Sequence, residues 1–370
     1  MDHVTSPLTV EVEASPHPWE TRFAEYAATA AGWMGGDSTY TVPLTSGHRL
    51  WLFSDTRLPS DRWINNSVVT QHPDGTLHTV HGGTAADPAA LVRPTQPCGE
   101  DGLARWLWAS DAYALEDPDL ATDEHRLWMF CQEYRSTKPN PERSEWDFAW
   151  VRTVLAEVAL PDLRVLARTP IEDGTGVQWG AALHRHGDDL LIYGVADEGE
   201  HKHLLMATAP AREPGRNWLY RTADRRWSAR PEQAARLLTG VSNEITVLPL
   251  PDRDDDWLLV TSDTTTPFGT WPIVAYRSTS PVGPWSGPIE VYDPPEAGGS
   301  RYAYNPTLVP VGAEQFVLAY NVNDTFAEVL ADPTIYRPRF RALRITRPAA
   351  ADDDGGTLGR CRPGGFRPGT

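Results

Sequence analysis

The sequence predicts an all-β chain folded as a five-bladed β-propeller, and three observations point there. A hairpin-like unit recurs five times, each copy opening and closing on polar residues about eighteen positions apart. Successive copies start roughly 50 to 75 residues apart, which is room for four short strands and their turns, the make-up of one propeller blade. The apolar runs are five to seven residues long, alternating or continuous rather than at the helical i, i+3, i+4 spacing, and Pro is abundant. A two-domain β-sandwich is the second reading.

Taken in order, the early run LTVEVE is placed to close the ring by joining the last blade. The first copy, GGDSTYTVPLTSGHRLWLFSDT, turns at Thr45-Ser46-Gly47-His48 and returns through Leu50 to Phe53. With the turn centred on Ser46, residues whose numbers sum to 92 face each other, so Asp37 meets Asp55. Directly opposed residues in an antiparallel pair have Cβ atoms roughly 4.5–5.5 Å apart. NNSVVTQ and LHTVHG supply that copy's outer strands. The second copy runs from WLWASDAYALED through a longer loop to RLWMFCQEY. The third, VQWGAALHRHGDDLLIYGVAD, sets Trp179 opposite Asp197. In the fourth, Glu244 and Asp263 flank a turn around Asp252 to Asp255, and WPIVAYRST and GPIEVYD follow. The fifth sets Asn305 against Asn323 about Gly312-Ala313. Residues 1–347 form a single domain in this reading, and 348–370, rich in Pro, Gly and charge, a short disordered tail.

Composition excludes more than it proposes. The 370 residues carry a net charge of −17, which opposes attraction to nucleic acid or anionic lipid. No run approaches 18 apolar residues, and the amino terminus shows no basic and apolar leader, so the expectation is a cytoplasmic chain with no membrane partner. Cys98, Cys131 and Cys361 stand far apart with no CxxC. The pairs His184 with His186 and His201 with His203 lack a third ligand, and no phosphate-binding loop or serine nucleophile elbow occurs, so no metal or cofactor is expected. Asp254-Asp255-Asp256 reads as a solvated turn.

The first strand of each propeller blade lines the axis, so the residues opening the five copies, Asp37, Asp111, Trp179, Glu244 and Asn305, should converge on one pocket. Asp55, Asn65, Asn66, Gln178, Asn243 and Tyr304 would form its walls. Trp33, Trp63 and Trp179 offer flat apolar faces for a ligand or pack in the core. The asparagines and Tyr304 bond ligand hydroxyls or serve turns and neighbouring blades. Asp37 and Asp55 either catalyse or cap blade ends, and Glu244 leads into an apolar strand where a charge needs a reason.

GWMGGDSTYTVPL, LWLFSDT and INNSVV resemble the opening of DUF4185-type five-bladed propeller proteins related to endo-D-arabinanases, and more distantly the wider arabinanase and fructosidase group. VQWGAAL, SNEITV, STSPVGPW, YNPTL and LAYNVN extend the resemblance over about residues 30 to 345. It implies glycoside hydrolysis by axial carboxylates, matched here by Asp37 and Asp55. Glu244 departs from the pattern, opening the fourth copy where the wider group usually carries its acid in the third. Glycosidic cleavage needs one carboxylic acid and one carboxylate. The expected enzyme cleaves a furanoside or another glycosidic bond in a small-molecule or oligosaccharide substrate through Asp37 and Asp55, order unassigned, with Glu244 assisting or replacing one. The alternatives are an intracellular cyclase, isomerase or lyase using the same acids, and a sugar-binding propeller without catalysis.

Overall fold

The computed structural model describes residues 8–139, 144, 146–199, 201–251 and 255–346. The tail expected at 348–370 lies outside them, as do Asp252, Asp254 and Cys361.

The chain is nearly all β, and five antiparallel sheets of four or more strands follow one another along it. Sheet one holds Tyr40–Pro43, Arg49–Phe53, Ser67–Gln71 and Leu77–Val80. Sheet two holds Arg105–Leu115, Arg126–Ser136, Phe148–Ala159 and Val165–Ile171. Sheet three is built on Gln178–His186, Asp189–Asp197 and Lys202–Pro210, with short outer strands beyond. Sheet four holds Thr246–Pro249, Trp257–Ser262, Ile273–Ser278 and Ser286–Tyr292. Sheet five holds Tyr302–Pro310, Gln315–Asn323 and Arg339–Thr346, and its last place is taken by Thr9–Pro16, the LTVEVE run returning to the end of the chain.

Central strands such as Trp257–Ser262 are buried at every residue, whereas the outer strand Val165–Ile171 is mostly exposed. Strands buried on both faces read as continuous apolar runs. Here each sheet is sandwiched between two others. One apolar cluster joins sheets one and two through Leu52, Leu107 and Met129. Others join two to three through Phe130 and Ile192, three to four through Tyr193 and Leu259, and four to five through Val260 and Phe316. The fifth cluster leads back from Val317 and Phe340 of sheet five to Trp51 and Phe53 of sheet one.

That last cluster contains an element the strand pattern does not foresee. Pro18–Ala28 is an α-helix, with Pro at its first turn and His17 as N-cap accepting from Trp19 N–H at 3.3 Å. Phe23 and Ala27, four apart on one face, are buried against Trp33, Trp51 and Phe340. A second short helix spans Phe326–Ala331.

The solvated-turn reading fails at Asp256, which is buried and forms a two-pronged ion pair with Arg277, both contacts 2.6 Å. Paired strands Trp257–Ser262 and Ile273–Ser278 carry the two groups to the same end of sheet four. No helix among the described residues is long and apolar enough to cross a membrane.

Candidate active site

The register of the first hairpin keeps the sum of 92 from Pro43↔Arg49 to Tyr40↔Leu52 and resumes it at Gly36↔Thr56. Between these, Asp37 N–H donates to Asp55 O at 3.3 Å and Ser54 N–H to Asp37 O at 3.0 Å, so the two aspartates share one end of the hairpin. Ser38 and Thr39 follow with φ of 70° and 51°, the left-handed region that costs a non-glycine residue about 1 kcal/mol or more. Both are buried and tied down. Ser38 Oγ donates to Ser54 Oγ at 2.8 Å, and Thr39 bonds the Asn321 side chain of sheet five.

All five opening segments are irregular at this level. Register shifts interrupt sheet two at Ala109/Ala112, sheet three at Trp179/Ala182 and sheet five at Tyr304/Thr307. The fourth strand begins only at Thr246, after Ser242 N–H has bonded the Thr261 hydroxyl at 2.8 Å. Bulges of this kind turn side chains out of a regular ladder. They also correct two expected pairings. Trp179 faces Gly194 rather than Asp197; the ladder after the bulge points Trp179 at Ala196, the extra residues Gly180 and Ala181 move it two further, and Gly180 has a φ of 91° with Phe130 where a Cβ would stand. Asn323 faces Tyr302, while Asn305, at a φ of 52°, sits in the bulge.

Asp37 lies in a pocket of tyrosines. Tyr304 donates its hydroxyl to Asp37 Oδ2 at 2.8 Å, while Asp37 Oδ1 is buried without a hydrogen-bond partner; the Tyr336 ring lies close enough to act on the carboxyl. Gly35 makes room for Tyr336, whose carbonyl would lie 2.3 Å from a Cβ there and accepts from Gly36 N–H at 3.0 Å. Burial, and then the charge of Asp55, push the Asp37 carboxyl up to about 8, against the downward pull of both tyrosines. Asp55 is held at Oδ1 by Asn65 Nδ2 at 2.9 Å and Trp108 Nε1 at 2.7 Å.

Glu244 comes from sheet four. Turned so that both ends of its amide are satisfied, Asn305 donates to Glu244 Oε2 at 2.6 Å and accepts from Ser38 N–H at 3.2 Å, one side chain linking the two carboxyl positions. Burial raises Glu244 to about 7 although the Lys202 ammonium opposes it. Lys202 pairs with Asp197 at 3.0 Å and donates to Asn243 Oδ1; Asn243 in turn donates to Gln178 Oε1 at 2.9 Å. Tyr134 reaches the same Gln178 oxygen at 3.4 Å. Asp111 is raised to about 7 by burial, with its oxygens taken by Leu183 N–H at 2.7 Å and Ala112 N–H at 2.8 Å, so its first task is to join sheets two and three.

Three sequence candidates belong elsewhere. Trp33 is fully buried between Phe23 and Phe53, and Trp179 is buried with its Nε1 on Asp173 at 2.7 Å; neither presents a face to a ligand. Asn66 is also fully buried. Its amide serves the carbonyls of Val92 and Leu107 and the Val92 N–H, the neighbour-to-neighbour role. Trp63 is half-buried and packs edge-on against Tyr336 at 5.3 Å.

The sequence reading missed Tyr336, Trp108, Tyr134 and a run of aromatic contacts that links the two aspartates. Trp108, Tyr134 and Phe148 of sheet two touch in series, Trp146 follows, and Trp146 meets Phe268 at 6.2 Å and Tyr302 at 6.4 Å. Tyr302 packs on Tyr304, which bonds Asp37, so the run leads from one aspartate to the other. Trp146 and Phe268 are more than half exposed. Alternation in WLWASD could have flagged Trp108, but Trp146 and Phe268 stand on loops with no periodicity.

Among the described residues, no group of three or more His, Cys, Asp or Glu is arranged to hold a metal. No curated protein matches the sequence. An inferred hydrolase from Bacteroides ovatus shares the fold, with a TM-score of 0.66 and 16% identity over 92% of each chain. Two α-L-arabinofuranosidases superpose more loosely, too loosely to argue from. One, from Podospora anserina, has a TM-score of 0.46 and 12% identity over 86% of this chain and 93% of that one. The other, from Coprinopsis cinerea, has a TM-score of 0.49 and 9% identity over 85% and 92%. The resemblance read from the sequence named DUF4185-type proteins; the family model that matches, over residues 20–346, is another, so the chain belongs to the family described as domain of unknown function DUF5005.

Proposed function

We propose that the five sheets are the blades of one five-bladed β-propeller domain, and that the carboxyl cluster at one end of its axis hydrolyses a glycosidic bond in a carbohydrate. The observation that carries the reading is the gathering of three acids: Asp37 and Asp55 share one hairpin end, and Asn305 links Glu244 to the Ser38 N–H beside Asp37. Burial pushes Asp37 up to about 8 and Glu244 up to about 7, and the charge of Asp55 adds to the rise at Asp37. Such a set has both an acid and a base ready at one pH, which glycoside hydrolysis requires.

Glu244, protonated up to about 7 and oriented by Asn305, is placed in the proposal as the acid that protonates the leaving oxygen. The Asp37 and Asp55 pair shares one proton and one negative charge, and that charge serves as base or nucleophile. Tyr304 and Tyr336 are themselves pushed well above their ordinary range by burial, so both remain protonated, and Tyr304 fixes the Asp37 carboxyl as a donor. Trp146 and Phe268 supply the apolar wall on which a sugar ring rests. A furanoside is the substrate class to try first.

The test is turnover of furanoside and pyranoside oligosaccharides by wild type and by Asp37→Asn, Asp55→Asn and Glu244→Gln, read as product mass. Cleavage with gain of one water, reduced ~10²–10⁴-fold in each variant, is expected. Full activity in all three variants would falsify the assignment. A product of unchanged mass, or one short of a water, would move the same residues to an isomerase, cyclase or lyase.

A further inference from the structure

Away from the carboxyl cluster, a cavity of about 290 Å³ opens on sheet two, lined by Arg93, Arg105, Arg152 and Arg168 and by one acid, Glu133. We infer that this cavity is a binding site for a small oxyanion, a phosphate, sulfate or carboxylate group, independent of the hydrolytic reading.

Four guanidinium groups collected in a chain of net charge −17 are held against no general excess of positive charge. The protein's own acids do not account for them. Glu133 reaches Arg152 Nε at 2.8 Å and Arg105 Nη1 only at 3.4 Å, and Glu172, largely exposed, takes the other edge of Arg152 at 2.8 Å. Arg168 uses one Nη1 on the Arg93 carbonyl at 3.0 Å and, like Arg93, forms no ion pair among the described residues. The Arg105 Nε is buried without a hydrogen-bond partner, and a buried donor in that state is uncommon.

Size and chemistry agree. The volume is at the lower limit of ligand pockets, enough for a small group and too little for an oligosaccharide. Guanidinium forks match the paired oxygens of carboxylate, sulfate and phosphate, and their hydrogen bonds to such anions are the stronger, charge-assisted kind. The site is also separate from the carboxyl cluster. Arg105 stands three residues before Trp108 on one strand, ~10 Å along it and on the opposite face of the sheet, since side chains alternate. Trp108 is the residue that holds Asp55.

Titration calorimetry on the full chain at fixed ionic strength tests the site without reference to turnover. The probes are inorganic phosphate, sulfate, a hexose phosphate, a uronate and the parent neutral hexose. Saturable binding of an oxyanion by wild type, at least ~10-fold weaker in Arg93→Gln/Arg168→Gln, is expected. These two residues are exposed and pair with no acid among the described residues, so the variant should fold; Arg105→Gln gives a second reading. Tighter binding of the hexose phosphate or uronate than of the free ions identifies an acidic sugar as the source of the anion, and equal binding a free anion. No saturable binding of any anion, or affinities unchanged in both variants, overturns the inference.

Discussion

Asp37 retains a proton to about pH 8 because burial disfavours its charge and Asp55 lies beside it, whereas in an unfolded chain it would titrate near 3.8. Between those values the folded state binds the extra proton. Stability contributed by that proton is fully present below about pH 4 and is lost progressively as pH rises, the loss being complete above about 8. Asp37→Asn removes the titration while leaving an oxygen for Tyr304. Thermal melts of wild type and variant from pH 5 to 8.5 should therefore diverge, the variant gaining on wild type by several degrees while losing activity. A gap that stays constant across the range contradicts the raised titration.

At the scale of elements, interrupted inner strands make the site. A regular ladder would keep Asp37 and Asn305 in strict alternation; the left-handed residues Ser38, Thr39 and Asn305 release them from it. The hairpin register was legible because turn chemistry at Ser46-Gly47 and alternation over Tyr40–Pro43 agree. Trp179 and Asn323 were misplaced because bulges carry no strong sequence mark beyond a glycine such as Gly180. The helix at Pro18–Ala28 was missed: Pro18 and the Phe23, Ala27 spacing are its marks, but one short helix is hidden by strand signals all around it. Its contribution is measurable. Phe23 fills the junction of sheets five and one, touching Trp33, Trp51, Phe53 and Phe340. Phe23→Ala should lower the unfolding free energy by ~3–5 kcal/mol, read by denaturant melts. A loss under ~1 kcal/mol would show that the helix docks only weakly.

For the whole molecule, five shared apolar clusters, the last leading back to sheet one, bring segments nearly 270 residues apart into one site, as at Asp37 and Tyr304. That convergence is why opening residues of separate copies could be proposed as one site from the sequence. It does not tell which face of a strand a side chain takes, and Trp33, Trp179 and Asn66 turned to core and sheet-joining roles for that reason. The central claim is that Glu244 donates the proton while the aspartate pair supplies the charge. The most direct measurement compares aryl glycosides of good and poor leaving groups, using the sugar that wild type cleaves best. The account predicts that Glu244→Gln keeps much of its rate on the activated substrate and loses ~10²–10⁴-fold on the poor one, while Asp37→Asn and Asp55→Asn lose both. Equal loss on both substrates in Glu244→Gln, or wild-type rates in the aspartate variants, would contradict it.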